Sequence, residues 1–298
     1  MQLIYADIYA RVAQRLEHEA YTFAVPGSSP GARTPWAHSS PVERLVDIEE
    51  AVGSTPTGPT MELKIIHEDG TLLVVEKPAG MAVWREGPVE GKTVGEMLLE
   101  QFPELKTLGE ERRYGILHRL DKDTSGILLV AKTPEAFSFF QKQFQDRAVQ
   151  KKYLCLVEGN IKEEKGSIET LLGRSSGDKR KQKVYLSGEP GGAGKREAIT
   201  EYQVKERYPE YTFLEMYPKT GRKHQIRAQL ASLGHPIVGD KLYGFKNQKI
   251  LAGLQQHFLH ASSVRIGYPD GTIQEFTSGF PDDLQSALDN LKTHGNQN

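Results

Sequence analysis

Apolar positions along the chain fall mostly into short alternating or continuous runs bounded by turn residues, and less often into helical periods. Residues 63–67 and 72–76 flank Glu68-Asp69-Gly70 and predict a β-hairpin. Val94, Met97, Leu98 and Phe102 sit at helical spacing and predict a helix over 93–102. Residues 126–131 form a short apolar strand. Thr133-Pro134 then supplies an N-cap and a proline at the first helical position, opening a helix to about Gln145. A strand is expected over 152–159 and a second hairpin over 197–208 and 211–217. Ile226, Leu230 and Leu233 share one face of a helix over 222–233, with Gly234 as its stop signal. Residues 258–268 and 272–278 flank Pro269-Asp270-Gly271 as a third hairpin, and 281–291 reads as a closing helix. Hairpins with a few interspersed helices predict an α+β fold on a largely antiparallel or mixed central sheet.

Residues 1–60 do not conform. From Pro26 to Thr60 the chain is dense in Pro, Gly, Ser and Thr, and no period persists. Neither a signal peptide nor a mitochondrial presequence fits, because the apolar core is missing and Asp7, Glu17 and Glu19 intervene. Gly27-Ser28-Ser29-Pro30 recurs 26 residues later as Gly53-Ser54-Thr55-Pro56. Twenty-six codons match the length of a transfer-RNA gene, whose T-arm read in frame gives Gly-Ser-X-Pro. The expectation is therefore an N-terminal extension over 1–60, either a disordered arm or translated transfer-RNA genes upstream of a true start at Met61. Residues 61–298 would then form the folded domain.

Composition narrows the class. Of 298 residues, 38% are apolar and 26% charged, and no run approaches a membrane-spanning length of roughly 20 residues. The single cysteine, Cys155, excludes an internal disulfide and a cysteine-rich zinc site, and its place between Leu154 and Leu156 reads as core. The nine histidines form no metal-binding pair of the H-E-x-x-H kind. The net charge of −1 conceals two basic stretches. Residues 141–183 hold eleven Lys/Arg against six acids, including the cluster Lys179-Arg180-Lys181, and 219–249 hold seven against Asp240 alone. Each is either a solvated face or part of the footprint of a polyanion.

The densest polar stretch in an apolar setting is His118-Arg119-Leu120-Asp121-Lys122-Asp123-Thr124-Ser125-Gly126, running into a strand. Its residue types suit both a turn and a catalytic loop at a strand end. A kinase loop is excluded by the order of Arg, Leu and Asp, and a P-loop at 188–195 fails because Glu189 and Arg196 stand where Gly and Ser/Thr are required. That segment reads as a flexible loop.

Taken together, these motifs resemble the RluA family of RNA pseudouridine synthases. His118-Arg119-Leu120-Asp121 with Thr124-Ser125-Gly126 resembles its catalytic signature, and Glu76-Lys77-Pro78-Ala79-Gly80 its first motif. Lys151-Lys152-Tyr153 resembles the segment with its active-site tyrosine. Thr220-Gly221-Arg222-Lys223-His224-Gln225-Ile226-Arg227, followed by Gly234-His235-Pro236-Ile237-Val238-Gly239-Asp240 and Leu242-Tyr243-Gly244, resembles its third motif. The likeness runs from about Leu63 to Pro281; the family's frequent N-terminal S4 module is not recognisable, and Ala82-Val83-Trp84-Arg85 departs from a His-Pro pair found in many relatives.

The resemblance implies the pseudouridine synthase fold, with a central RNA-binding cleft, and isomerisation of uridine in structured RNA, ribosomal or transfer. Asp121 would be the reacting carboxylate, Arg227 its ion-pair partner, and Tyr153 the group stacked on uracil. Arg119 would fill the space left by the flipped base and contact phosphate. His118, Lys152, Arg222, Lys223, His224 and the cluster Lys179, Arg180 and Lys181 complete the expected RNA contacts. The reaction is redox-neutral and implies no metal and no cofactor; a cytoplasmic monomer without membrane contact is expected. Two rival readings are a catalytically silent RNA-binding protein of the same fold and a nucleoside or glycosidic-bond hydrolase. The second normally needs another carboxylate, for which only Asp123 is at hand.

Overall fold

The computed structural model describes residues 63–295 apart from Pro88, Glu111 and Ile250, so the expected extension over 1–60 and the start at Met61 lie outside the described residues. The strands are β1 (Lys64–Glu68), β2 (Leu72–Lys77), β3 (Ser125–Ala131), β4 (Gln150–Glu158), β5 (Lys165–Arg174), β6 (Gln182–Tyr185), β7 (Arg196–Arg207), β8 (Tyr211–Pro218), β9 (Leu259–Gly267) and β10 (Ile273–Thr277). They form one sheet in the order β1-β2-β3-β9-β4-β8-β7-β5-β6, with β10 also paired to β9. All its ladders are antiparallel except the short parallel one between β3 and β9. The helices among the described residues are α1 (Val94–Gln101), α2 (Pro134–Gln145), α3 (Gln225–Ser232) and α4 (Asp282–Gly295). The fold is α+β on a mostly antiparallel sheet, as the hairpin pattern predicts.

Period-2 alternation divides the β2–β3 pair between two cores. Leu73, Val75, Leu128 and Val130 pack with Val94, Met97 and Leu98 of α1, whereas Leu72, Val74, Ile127 and Leu129 pack with Ala136 and Phe140 of α2. Each such burial contributes about 1.5–3 kcal/mol. The other half of the sheet lays Cys155, Val157, Leu214 and Met216 against Ile226 and Leu230 of α3 and Leu284 and Leu288 of α4. Both helix starts visible in the sequence are capped by side chains. Thr93 and Glu96 form a reciprocal capping box on α1, and Thr133 accepts from the Ala136 amide with Pro134 following it.

Two expectations are corrected. The β5–β6 hairpin lies where no element was expected; only Ile168, Thr170 and Leu172 of β5 mark its inward face, among charged neighbours. Helix α3 begins at Gln225 rather than 222, because His224 takes a left-handed conformation (φ 54°) that ends the preceding turn. The 188–195 segment is a run of turns without strand or helix.

Candidate active site

The Asp121 loop is held from three sides. Its turn closes with the Thr124 amide donating to the Asp121 carbonyl at 3.1 Å. Behind it, Thr124 Oγ1 pairs with His257 Nε2 at 2.8 Å and Ser125 Oγ with His260 Nδ1 at 2.9 Å, both buried. From β2, the fully buried Lys77 sends Nζ to the carbonyls of Pro78 (2.7 Å), Met81 (2.8 Å) and Lys122 (2.8 Å). Burial pulls the Lys77 pKa down to about 7 against the charges of Asp123 and Asp121, yet three carbonyls call for three N–H donors, which only the ammonium carries. The loop leads into Gly126 (φ 118°), where a Cβ would collide with the backbone of Ala261. Ala261 is in register with Gly126 on one side and Tyr153 on the other, so this close approach sets the loop beside the tyrosine strand.

Arg227, on the first turn of α3, reaches back across 106 residues to Asp121. Its Nη1 donates to Asp121 Oδ2 at 2.9 Å, while Nε and Nη2 grip Asp240 at 2.7 and 3.0 Å. The helix carrying it is docked by two buried glutamines. Gln225 bonds the Ile199 carbonyl and the Thr200 hydroxyl; Gln229 bonds the Ile168 and Ala198 carbonyls and the Thr170 and Thr200 hydroxyls. Burial works to raise the Asp121 pKa, but the His224 and Arg227 charges outweigh it and the net direction is down. At neutral pH Arg227 carries this effect, since burial lowers the His224 pKa below its ordinary value. Burial opposes the Arg227 charge as well, but Asp240 and Asp121 raise its pKa overall. The left-handed His224 directs Nε2 to 4.0 Å from Asp121 and Nδ1 to 3.0 Å from the Tyr243 hydroxyl, whose ring lies under the Arg227 guanidinium.

Above this triad opens a cleft of about 630 Å³ lined by residues of the Asp121 loop, the Lys151–Tyr153 segment and the 220–227 stretch, among them Asp121, Tyr153, Arg227, Leu120 and Ile226. Burial and the Asp121 charge both raise the Tyr153 pKa, so it faces the cleft as a neutral phenol. Val149, just before β4, and Lys151 and Tyr153 of β4 line the cleft; Lys152, an expected RNA contact, is not among the lining residues.

The other expected contacts are placed unevenly. His118 lines the cleft, but its Nε2 accepts the Leu129 amide at 3.1 Å, its ring stacks on Phe144, and burial drops its pKa to about 3. It offers RNA a neutral surface, not a charge. Arg119 sits at the mouth, stacked 5.0 Å from the Trp84 ring centre and paired with Glu86, which also pairs with Lys223 at 3.4 Å. Arg119 Nε is buried with no protein partner. Trp84 is flanked on another side by Arg113, and Arg85 staples this loop to Glu96 and the carbonyls of Val89 and Gly91. Arg222 lines the cleft wall with Nε on the Glu197 carbonyl at 3.0 Å. Lys179, Arg180 and Lys181 lie outside the cleft at the β5–β6 turn, where Arg180 is bound bidentately by Asp178 and Lys181 lies over the Tyr243 ring.

Sequence reasoning missed Asp240, Lys151, Glu86 and the Lys77 cage. Asp240 stood out as the lone acid in a basic run, and Asp240, Lys151 and Lys77 each lie in a stretch that resembles the family, but their contacts, and the place of Glu86, depend on tertiary placement. Among the described residues no group of three or more His, Cys, Asp or Glu has a metal-binding arrangement.

Residues 71–232, which include the Asp121 loop, Tyr153 and Arg227, match the family described as RNA pseudouridylate synthase. The chain is 36% identical over 219 residues to an uncharacterized RNA pseudouridine synthase of Aquifex aeolicus, covering 70% of this chain and 67% of that one. It is also 36% identical over 236 residues to the ribosomal large subunit pseudouridine synthase D of Nitrosomonas europaea, covering 77% and 65% respectively. Among solved structures, human RNA pseudouridylate synthase domain containing 1 superposes with a TM-score of 0.63 at 27% identity, over 82% of this chain and 98% of that one. With the match extending over more than half its length and into the loop, strand and helix that meet in the cleft, the chain belongs to the RNA pseudouridylate synthases, as an RluA-type isomerase of uridine in RNA.

Proposed function

We propose that Asp121 is the reacting carboxylate of this isomerase and that its target is a uridine of large-subunit ribosomal RNA. The observation that carries the first part is the Arg227 fork. One guanidinium binds Asp240 through two nitrogens and offers a third to Asp121, which favours the ionised carboxylate in a site where burial works against it. An ionised carboxylate in a partly closed cleft is suited to act on the sugar or base while the N1–C1′ bond breaks, the uracil turns and C5 joins C1′. The C5 proton leaves and N1 gains one, so the balance needs no oxidant. Tyr153 presents its π-face to the uracil. Because its phenol stays protonated, any part in removing the C5 proton requires a coupled transfer of its own. Arg119, at the mouth, takes the place of the flipped base.

The ribosomal assignment is supported by the names of the Nitrosomonas europaea and Haemophilus ducreyi relatives, both ribosomal large subunit pseudouridine synthase D. The test is incubation of the purified protein with unmodified ribosomal and transfer RNA, followed by mapping of pseudouridine. Conversion at a defined large-subunit position is expected. Conversion in transfer RNA alone would overturn the substrate assignment, and free uracil in place of pseudouridine would overturn the chemistry.

A further inference from the structure

On the wall beyond Tyr153, positive charges gather without matching carboxylates. Lys151 points into the cleft from β4, with its Nζ facing the backbone at Gly221. Around the same wall stand Arg147, Arg196 and Arg222. Among the described residues one carboxylate serves these four cations: Glu197, which pairs with Arg147 at 2.9 Å and gives Arg222 only its backbone carbonyl. Among the described residues no hydrogen bond or ion pair reaches the Lys151 ammonium, and burial alone pulls its pKa down, to about 8. Arg222 is held below the usual range by burial and then by the like charges of Arg196 and Arg147.

The backbone shows a second sign. Helix α2 ends in a Schellman turn in which the Ala148 amide donates to the Gln143 carbonyl at 2.9 Å. The left-handed position of that turn, usually glycine, is Arg147 at φ 59°. A strained arginine and a half-buried lysine with an unpaired ammonium both cost stability in the free protein. A compact anion entering between the two side chains would offset the cost of the unpaired ammonium.

We infer that Lys151, with Arg147, Arg196 and Arg222, forms a subsite for a single phosphodiester of the RNA strand beside the target uridine, and that Lys151 is its anchor. The inference rests on the reading of the cleft as an RNA site. A phosphate fits better than a carboxylate ligand because its oxygens can take donors from several cations at once, as guanidinium forks require. Lys151 thereby acts in positioning the strand, while Asp121 acts on the nucleotide.

The test is Lys151→Met, with Lys151→Gln as a second variant, compared with Lys152→Met. In the free protein, removal of an unpaired, half-buried charge leaves the melting temperature unchanged or raised. Binding to ribosomal RNA weakens, and the slope of log affinity against log salt falls by about 0.7–0.9, the value for one neutralised phosphate. Steady-state kinetics show the loss chiefly in KM. Lys152→Met moves the slope much less. Loss of stability in both Lys151 variants would make the residue structural and overturn the inference, as would an unchanged slope or an equal response to Lys152→Met. Affinity and melting are read without turnover. If the wild-type protein formed no pseudouridine while the Lys151 variants still shed one phosphate from the slope, the functional reading would fail and the subsite would stand.

Discussion

At the base of the cleft Arg227 is enclosed by Asp121 and Asp240, whereas at the mouth Arg119 and Lys223 share the single carboxylate of Glu86. The basal cluster is nearly dry: the side chains of Arg227, Asp121 and Asp240 are 8%, 14% and 0% exposed. The rim pairs are in contact with water, with Arg119 35% and Glu86 44% exposed. The same residue types therefore do different work. Buried and geometrically locked, a guanidinium sets the ionisation of a reacting group. Exposed and loosely paired, it is held ready for exchange with an incoming phosphate, because such a pair is worth only about 0.2–1 kcal/mol.

Breaking the basal pair has the largest expected effect. Arg227→Ala strands two carboxylates and should cost roughly 3–5 kcal/mol of stability, measured by denaturant unfolding. Turnover should fall roughly a hundredfold or more. The pH dependence has a definite sign. The Asp121 pKa is depressed in the folded protein, so its contribution to stability is present above the unfolded carboxylate value and is lost as pH falls through the lower folded one. Arg227→Lys keeps a charge but cannot serve both carboxylates with a fork. Its acid limb of activity should move to higher pH, and an unmoved limb would show that Arg227 does not set the ionisation of Asp121.

At the rim the effects are smaller and differ in kind. Arg119→Glu should slow conversion roughly tenfold or more even at saturating RNA, since unstacking a base costs a few kcal/mol. Reversing Lys179, Arg180 and Lys181 together should flatten the salt dependence of binding and change the saturated rate far less. Arg180 is already tied to Asp178, so the flattening should be less than three phosphates' worth. Equal behaviour of the two sets would erase the distinction between base flipping and docking. Glu86→Gln should do the opposite of a typical charge loss. It releases Arg119 and Lys223 and should tighten RNA binding roughly two- to fivefold, with a steeper salt slope. Weaker binding in that variant would mean that Glu86 organises the mouth instead of occupying it.

Much of this was legible in the chain. The three hairpins, the Thr133-Pro134 N-cap and the polar loop before β3 could be read from alternation, turn residues and capping chemistry. Three features could not. The β5–β6 hairpin carries an inward face of only Ile168, Thr170 and Leu172, too short and too polar to register as a period. Lys151 and Lys152 are indistinguishable in sequence, and the register against β9 shifts between Lys152 and Tyr153, so the cleft-facing lysine is settled only by the folded strand. His118 looks like a charged RNA contact beside Arg119. Its acceptance of the Leu129 amide makes it a neutral part of the wall. In each case the partner a strand or side chain finds in the fold, and not the local pattern, decided the outcome.

The central claim is that the ionised carboxylate of Asp121 acts on the nucleotide, and Asp121→Asn tests it most directly, since it keeps shape and burial while removing the charge. The measurement is release of tritium from ribosomal RNA labelled at uridine C5, under single-turnover conditions with enzyme in excess, alongside RNA affinity for the same preparation. The account predicts no release above background and affinity within a few-fold of the wild type. Release near the wild-type rate with intact binding would contradict it.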